Sequence, residues 1–208
     1  FEEEAKVTAS LKHPGVIPVY TMGRDMDGRR YYTMKPLEGK SLETILEERR
    51  EGKSDTLHVY TANRLMEVIQ RASETLAYAH NRDIIHFDLT PANIMVGEFG
   101  EVSVIDWGMS SSKGSDLRKG KDPGTLYMFS GSLYRAPEHI ESTFRQPSSA
   151  SDVYAVGAIL YEILTGTPPY YKDSLQESLE AMKKGSLDPP EIKSPESGID
   201  PVLSRLCI

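Results

Sequence analysis

The stretch Ile84-Ile85-His86-Phe87-Asp88-Leu89-Thr90-Pro91-Ala92-Asn93-Ile94-Met95-Val96 sets an Asp five residues ahead of an Asn, between two apolar runs. That spacing suits phosphoryl transfer, in which an Asp accepts the proton of an attacking hydroxyl and an Asn holds Mg²⁺ on nucleotide phosphates. Ten residues past Val96, Asp106-Trp107-Gly108 closes a further apolar run, Val102-Ser103-Val104-Ile105, with a second carboxylate. A carboxylate at a strand tip is costly to bury unless a cation meets it. Further on stands Tyr134-Arg135-Ala136-Pro137-Glu138. A lone Asp in a polar loop is ordinarily a turn residue, and it is the ordered series that carries the chemical reading.

Outward from this stretch the chain alternates short strand and helix signals. Residues 1–12 mix charged and small residues and meet His13-Pro14-Gly15, which predicts a helix ended by Pro and Gly. Residues 16–22 read as a strand, Asp27-Gly28 as a hairpin signal and 30–34 as the returning strand. Residues 41–51 predict a short helix capped by Ser41, with Thr44 where a full capping box has an acid or Gln. Over 61–80, Leu65, Val68, Ile69, Ala72, Leu76 and Ala79 recur at helical spacing. Residues 84–86, 94–96 and 102–105 read as short strands, the last two joined by Gly97-Glu98-Phe99-Gly100. Residues 109–130, rich in Ser, Gly, Lys and Asp, predict a long, polar, mobile loop. Residues 153–164 are apolar almost all round and predict a buried helix, and the Pro-rich stretch 184–201 reads as loop.

A chain of 208 residues suffices for one domain with a full core or for most of a larger one. Hydrophobic residues make up 38% and charged residues 26%, which is ordinary for a soluble globular protein. A net charge of −7 argues against a nucleic-acid binder. The single Cys207 forms no internal disulfide, so a reducing, cytoplasmic setting is expected. The five histidines form no metal-ligand cluster in sequence. No segment reaches the apolar length of a membrane span, since 155–164 is short and contains Glu162. The start at Phe1 and the end within Val202-Leu203-x-x-Leu206 read as those of a fragment. The sequence sets no oligomeric state.

The Asp88–Asn93 loop, Asp106-Trp107-Gly108 and Ala136-Pro137-Glu138 resemble the H-R-D-L-x-x-x-N, D-F-G and A-P-E elements of protein kinases. Pro91 and the run Val96-Gly97-Glu98-Phe99-Gly100-Glu101-Val102 before Asp106 make the chain similar to bacterial Ser/Thr kinases in particular. The resemblance covers essentially the whole chain and implies an α+β, two-lobed protein kinase-like fold truncated at both ends. Residues 1–37 would form a partial, β-rich N-lobe with Glu4, two strands and the start of the hinge. Residues 38–208 would form a mostly helical C-lobe with the catalytic loop, the metal-binding Asp and the activation segment. The family's Gly-rich loop and nucleotide-binding Lys find no counterpart here, so these residues alone are expected to bind ATP poorly and to be weakly active or inactive.

The resemblance also implies transfer of the ATP γ-phosphate to a Ser or Thr hydroxyl of a protein substrate, with Mg²⁺ (or Mn²⁺). Asp88 would be the catalytic base, and Asn93 and Asp106 the metal ligands. Met34 would be the gatekeeper, with Lys35 C=O and Leu37 N–H meeting the adenine and Met95 packing beneath it. Pro36, without an N–H, falls where none is needed. Glu4, nine residues before His13-Pro14, takes the register of the helix Glu that pairs with the Lys. Three acids in the first turn, Glu2, Glu3 and Glu4, also suit a helix N-terminus on their own. Trp107 stands for the usual Phe. Asp152 reads as structural, able to bond the catalytic loop's backbone. Glu138 normally pairs with an Arg that lies past residue 208.

Three positions depart from the family pattern. Phe87 replaces the Arg that usually pairs with a loop phosphate, so control by that pairing is not expected, and restoring Arg at 87 should matter only with a phosphorylated loop. Thr90 replaces the catalytic-loop Lys that stabilises charge on the transferred group and offers only a hydroxyl. Gly131 falls where a Thr normally stands, and Ser132 could serve only with a one-residue shift. Phe87 and Thr90 motivate a second reading, a pseudokinase acting as a binding or scaffold module. A third, a small-molecule phosphotransferase, is opposed by Ala136-Pro137-Glu138 and by the helix of Asp152.

Overall fold

Helix α1, Glu2–Ser10, buries Ala5, and Leu11 just beyond it joins the core before His13-Pro14-Gly15 turns the chain. The turn needs a glycine: a Cβ at Gly15 would lie 2.0 Å from Thr75 Oγ1. The computed structural model describes residues 2–107, 111–112, 132–139, 148–185 and 187–207.

Strands β1, Val19–Arg24, and β2, Arg30–Met34, form an antiparallel hairpin. Its loop is organised by Asp25, whose Oδ1 accepts from the Asp27 and Arg29 N–H groups at 2.9 and 2.8 Å. Gly28 there has a φ of 78°. Sequence placed the first strand at 16–22, but the ladder starts three residues later. Pro18 has no N–H to give, and its C=O instead accepts from Lys35 N at 3.2 Å. Val16 makes a parallel bridge to Val104 on a different sheet.

That sheet is antiparallel and three-stranded, in the order β3 (Lys40–Ser41), β5 (Ile94–Val96), β6 (Val102–Val104). Between β3 and β5 the chain runs through α2, Leu42–Arg50; α3, Ser54–Val59; α4, Ala62–His80; and β4, Ile84–Ile85. Ser41 caps α2 by accepting from Thr44 N at 3.1 Å, and Leu42, Ile45 and Leu46 are buried beneath it. All six apolar residues read from the spacing of α4 are buried, and Thr75 with them. The α3 helix, only six residues long, carried no periodic signal.

Further along the chain come α5, Ser149–Thr165; α6, Leu175–Lys184; α7, Pro190–Lys193; and α8, Pro201–Arg205. Helix α5 starts four residues before the expected 153 and stops at Gly166 in the left-handed region, φ 79°. It is not buried all round: Ala155, Ala158, Ile159 and Leu160 face inward while Val153 is exposed. The stretch expected as loop over 184–201 carries α7 and a 3-10 turn, Pro195–Ser197. Proline suits both starts, because the first helical N–H has no intrahelical partner to lose. One core joins Leu46 of α2, Leu65 and Leu76 of α4, Ile94 and Val104 of the sheet, Trp107 and Ile159 of α5. The result is a small antiparallel-sheet N-terminal region followed by a mostly helical remainder. No helix among the described residues is long and apolar enough to cross a membrane.

Candidate active site

The floor of the site is a buried carboxylate. Asp152, in the first turn of α5, is 1% exposed. It accepts from His86 N at 2.9 Å, Phe87 N at 2.8 Å and His80 Nε2 at 2.7 Å. Three donors satisfy a carboxylate that burial would otherwise make costly. They also hold the backbone of the catalytic loop in an uncommon conformation, since Phe87 has a φ of 69°. The His86 side chain, fully buried, reaches Ile105 O at 2.9 Å and packs on Trp107 with ring centroids 4.8 Å apart. Trp107 donates from Nε1 to Val104 O at 3.1 Å, so the aromatic that follows Asp106 is part of the core.

On this floor stand the residues singled out by sequence. Asp88 is half-buried. Asn93 closes a 3-10 turn, Pro91–Asn93, and donates from Nδ2 to Asp88 O at 2.8 Å. Its amide nitrogen is thereby fixed, and its oxygen is the atom left to meet a hard cation. Asn93 O accepts from Ile105 N at 2.9 Å, which ties the catalytic loop to the strand end carrying Asp106. Asp106 is exposed, with a φ of 61°, a second non-glycine residue in the left-handed region. Thr90 accepts Asn93 N on its C=O at 3.0 Å and shapes the turn through backbone.

Two neighbouring cavities lie here, one of which reaches Asp106. One, about 190 Å³, is lined by Glu4, Tyr32, Met34, Leu37, Asp106 and Trp107 among others. The second, about 80 Å³, is lined by Lys35, Pro36, Leu37, Met95 and Ser103, and both touch Ile17. All five adenine-side and helix-side candidates, Glu4, Met34, Lys35, Leu37 and Met95, thus face this one region. Glu4 Oε1 accepts from Tyr32 Oη at 3.3 Å. Burial raises the Tyr32 pKa, with the negative charges of Glu4 and Asp106 adding to it. A separate cavity of about 280 Å³ between α1 and the hairpin, lined by Ala5, Lys6, Met22 and Arg30, lies away from the catalytic loop.

The rim opposite is the segment 132–139. Tyr134 Oη donates to Glu162 Oε2 at 2.6 Å, and Arg50 Nη1 stands 3.6 Å from Glu162 Oε1. Burial raises the pKa of both Tyr134 and Glu162, and it outweighs the pull of Tyr134 and Arg50 on Glu162. Glu138 Oε1 lies 3.8 Å from His139 Nε2, which itself bonds Ser151 Oγ at 2.7 Å. Arg135 Nη2 donates to Asp88 Oδ1 at 2.6 Å. The expectation for 109–130 falls outside the described residues, except that Ser111–Ser112 pairs with β4. Gly131 and Gly108 also lie outside them.

Residues 1–206 match the family model described as protein kinase domain. The chain belongs to the protein kinase family. Similar kinases include the serine/threonine-protein kinase PknD of Chlamydia caviae, 35% identical over an alignment of 222 positions that covers 99% of this chain and 23% of that protein. PknD of Protochlamydia amoebophila is 33% identical over 94% of this chain and 21% of its own length. PknD of Chlamydia trachomatis serovar D is 32% identical over the full chain and 24% of its own length. The chain thus spans about a quarter of the length of these bacterial kinases. Sequence reading missed His80, Tyr32, Arg135 and the Tyr134–Glu162 bond. All are long-range pairings with no local spacing to reveal them.

Proposed function

We propose that the protein carrying this chain transfers the γ-phosphate of ATP to a Ser or Thr hydroxyl of a protein substrate. The Asn93 side chain on Asp88 O, with Asn93 O accepting from Ile105 N, is the observation that supports it most: one hydrogen-bonded unit joins Asp88, Asn93 and the strand end next to Asp106. Asp88 orients the acceptor hydroxyl and takes its proton as the new O–P bond forms and the bond to the β-phosphate oxygen breaks, releasing ADP. Asn93 Oδ1 and Asp106 suit Mg²⁺, which takes hard oxygens from one or two carboxylates and completes its shell with phosphate and water. The metal supplies charge neutralisation on the phosphates. Lys35 C=O and Leu37 N–H bind the adenine edge, Met34 guards the cavity behind it, and Met95 packs below. Glu4, beside Tyr32, stands in the register of the helix Glu that pairs with the phosphate-anchoring lysine of kinases.

The pseudokinase reading draws on Phe87 and Thr90, and the joint presence of Asp88, Asn93 and Asp106 stands against it. The test is incubation of the full-length protein with γ-labelled ATP, Mg²⁺ and mixed protein acceptors, followed by phosphoamino-acid analysis. Label in phosphoserine or phosphothreonine, lost in Asp106→Ala, supports the reading. ATP binding without transfer would establish the scaffold role instead.

A further inference from the structure

Arg135 lies 47 residues beyond Asp88 in sequence, yet its guanidinium is the group that holds the Asp88 side chain. The contact is a charge-assisted hydrogen bond at 2.6 Å, with Arg135 8% and Asp88 22% exposed. Exposed ion pairs contribute little, but a guanidinium this shielded needs its counter-ion, because an unpaired buried charge is costly. The placement of Arg135 is fixed from both sides. Tyr134 before it is anchored to Glu162 of α5, and Ala136 after it is buried. Below it lies the Phe87 ring, 5.5 Å from the guanidinium carbon, itself set edge-on against His139. Phe87 in turn hangs by its N–H from Asp152. The same floor therefore sets both the base and the cation that holds it.

A carboxylate left to itself turns about its Cβ–Cγ bond and offers either oxygen. With Oδ1 taken by Arg135, one oxygen, Oδ2, remains for an acceptor hydroxyl, and its direction is set. In phosphoryl transfer the protein contributes mainly positioning and electrostatics, so an oriented carboxylate matters more than a strongly basic one. We infer that Arg135 is a positioning residue that locks Asp88 with Oδ2 toward the acceptor hydroxyl, so that transfer requires the 132–139 segment to be seated. This rests on the reading of the protein as an active kinase. It also gives Phe87 a part to play, as the aromatic bed of that guanidinium.

The experiment measures kcat and the KM for ATP on the full-length protein and its variants with a peptide acceptor. Arg135→Ala is expected to lower kcat by about 100-fold, the cost of a misplaced reacting group, with KM for ATP within about threefold. Millimolar guanidinium ion should restore part of that kcat and do nothing for Asp88→Ala. The double variant Arg135→Ala/Asp88→Ala should be no slower than Asp88→Ala, since a positioning residue has nothing left to position. If Arg135→Ala does not fold, Arg135→Gln, which keeps volume and an N–H, carries the test with an expected loss of about tenfold or more. Arg135→Lys should exceed Arg135→Gln in kcat by restoring the charge. An Ala or Gln variant matching the parent, or a double variant showing additive losses, overturns the inference while leaving the kinase reading intact. A parent protein without transfer contradicts the kinase reading itself, and the inference falls with it.

Discussion

Asp152 and Asp88 lie on either side of one backbone segment and show opposite designs. Asp152 is sealed under α5 with two backbone N–H groups and His80 on its oxygens. Asp88 is half-open, held through one oxygen by one guanidinium. The first carboxylate is structural: two of its bonds fix the loop that carries the second, and the third ties it to His80 of α4. The second is left under-committed, which suits the proton-accepting role proposed for it. The two carboxylates thus divide the labour: the floor stabilises the fold, and the loop standing on it carries the group proposed for chemistry.

The largest effect that would break this division is in the floor. Asp152→Ala strands two backbone N–H groups and His80, and it is expected to destabilise by about 3 kcal/mol. In a domain of this size that lowers Tm by roughly 6–12 °C. Calorimetry checks it, and a Tm unchanged within error would show that Asp152 is not structural.

Why the floor was only half legible follows from how sequence carries information. Local periodicity reports one face of one helix, so the buried set of α4 was readable from Leu65 to Ala79. The strand ending in Asp106 was readable because a charge closes an apolar run. The first strand was misplaced because Pro18 cancels a ladder bond that its apolar neighbours suggest. Val153 was read as buried because composition alone cannot orient a helix that is apolar on most sides. His80 on Asp152 and Arg135 on Asp88 span 72 and 47 residues. Pairings of that range depend on tertiary placement.

A middle-sized effect concerns Phe87 at the boundary between floor and rim. Phosphatase treatment of the full-length protein, with loop sites mapped, is expected to change kcat by less than about tenfold, or 1.4 kcal/mol. A larger loss traced to a single loop site would show that another cation has taken the absent arginine's place. The structure adds an expectation for the stability of Phe87→Arg. Phe87 is buried beside Arg135, so a second guanidinium there meets a like charge and should lower Tm rather than stay silent.

The smallest effect sharpens the comparison with a third carboxylate. Burial raises the pKa of Glu162 above its ordinary 4.5, so the folded protein holds that proton more tightly than the unfolded chain. Its contribution to stability is full below the ordinary value and is lost as pH rises through the raised one. Glu162→Gln keeps an acceptor for Tyr134 without the charge. It should melt higher than the parent at neutral pH by a few degrees, about 2–4 °C for each kcal/mol, with the difference closing near pH 4. A lower Tm at neutral pH would show that the Arg50 pairing outweighs desolvation.

The most direct test of the division between the floor and the loop it carries is Asp88→Ala in the full-length protein, with kcat and Tm measured on the same preparation. A loss in kcat on the order of 10³ or more, with Tm within a few degrees of the parent, is the predicted result. Parent-like transfer by that variant, or a collapse of Tm to match Asp152→Ala, would contradict it.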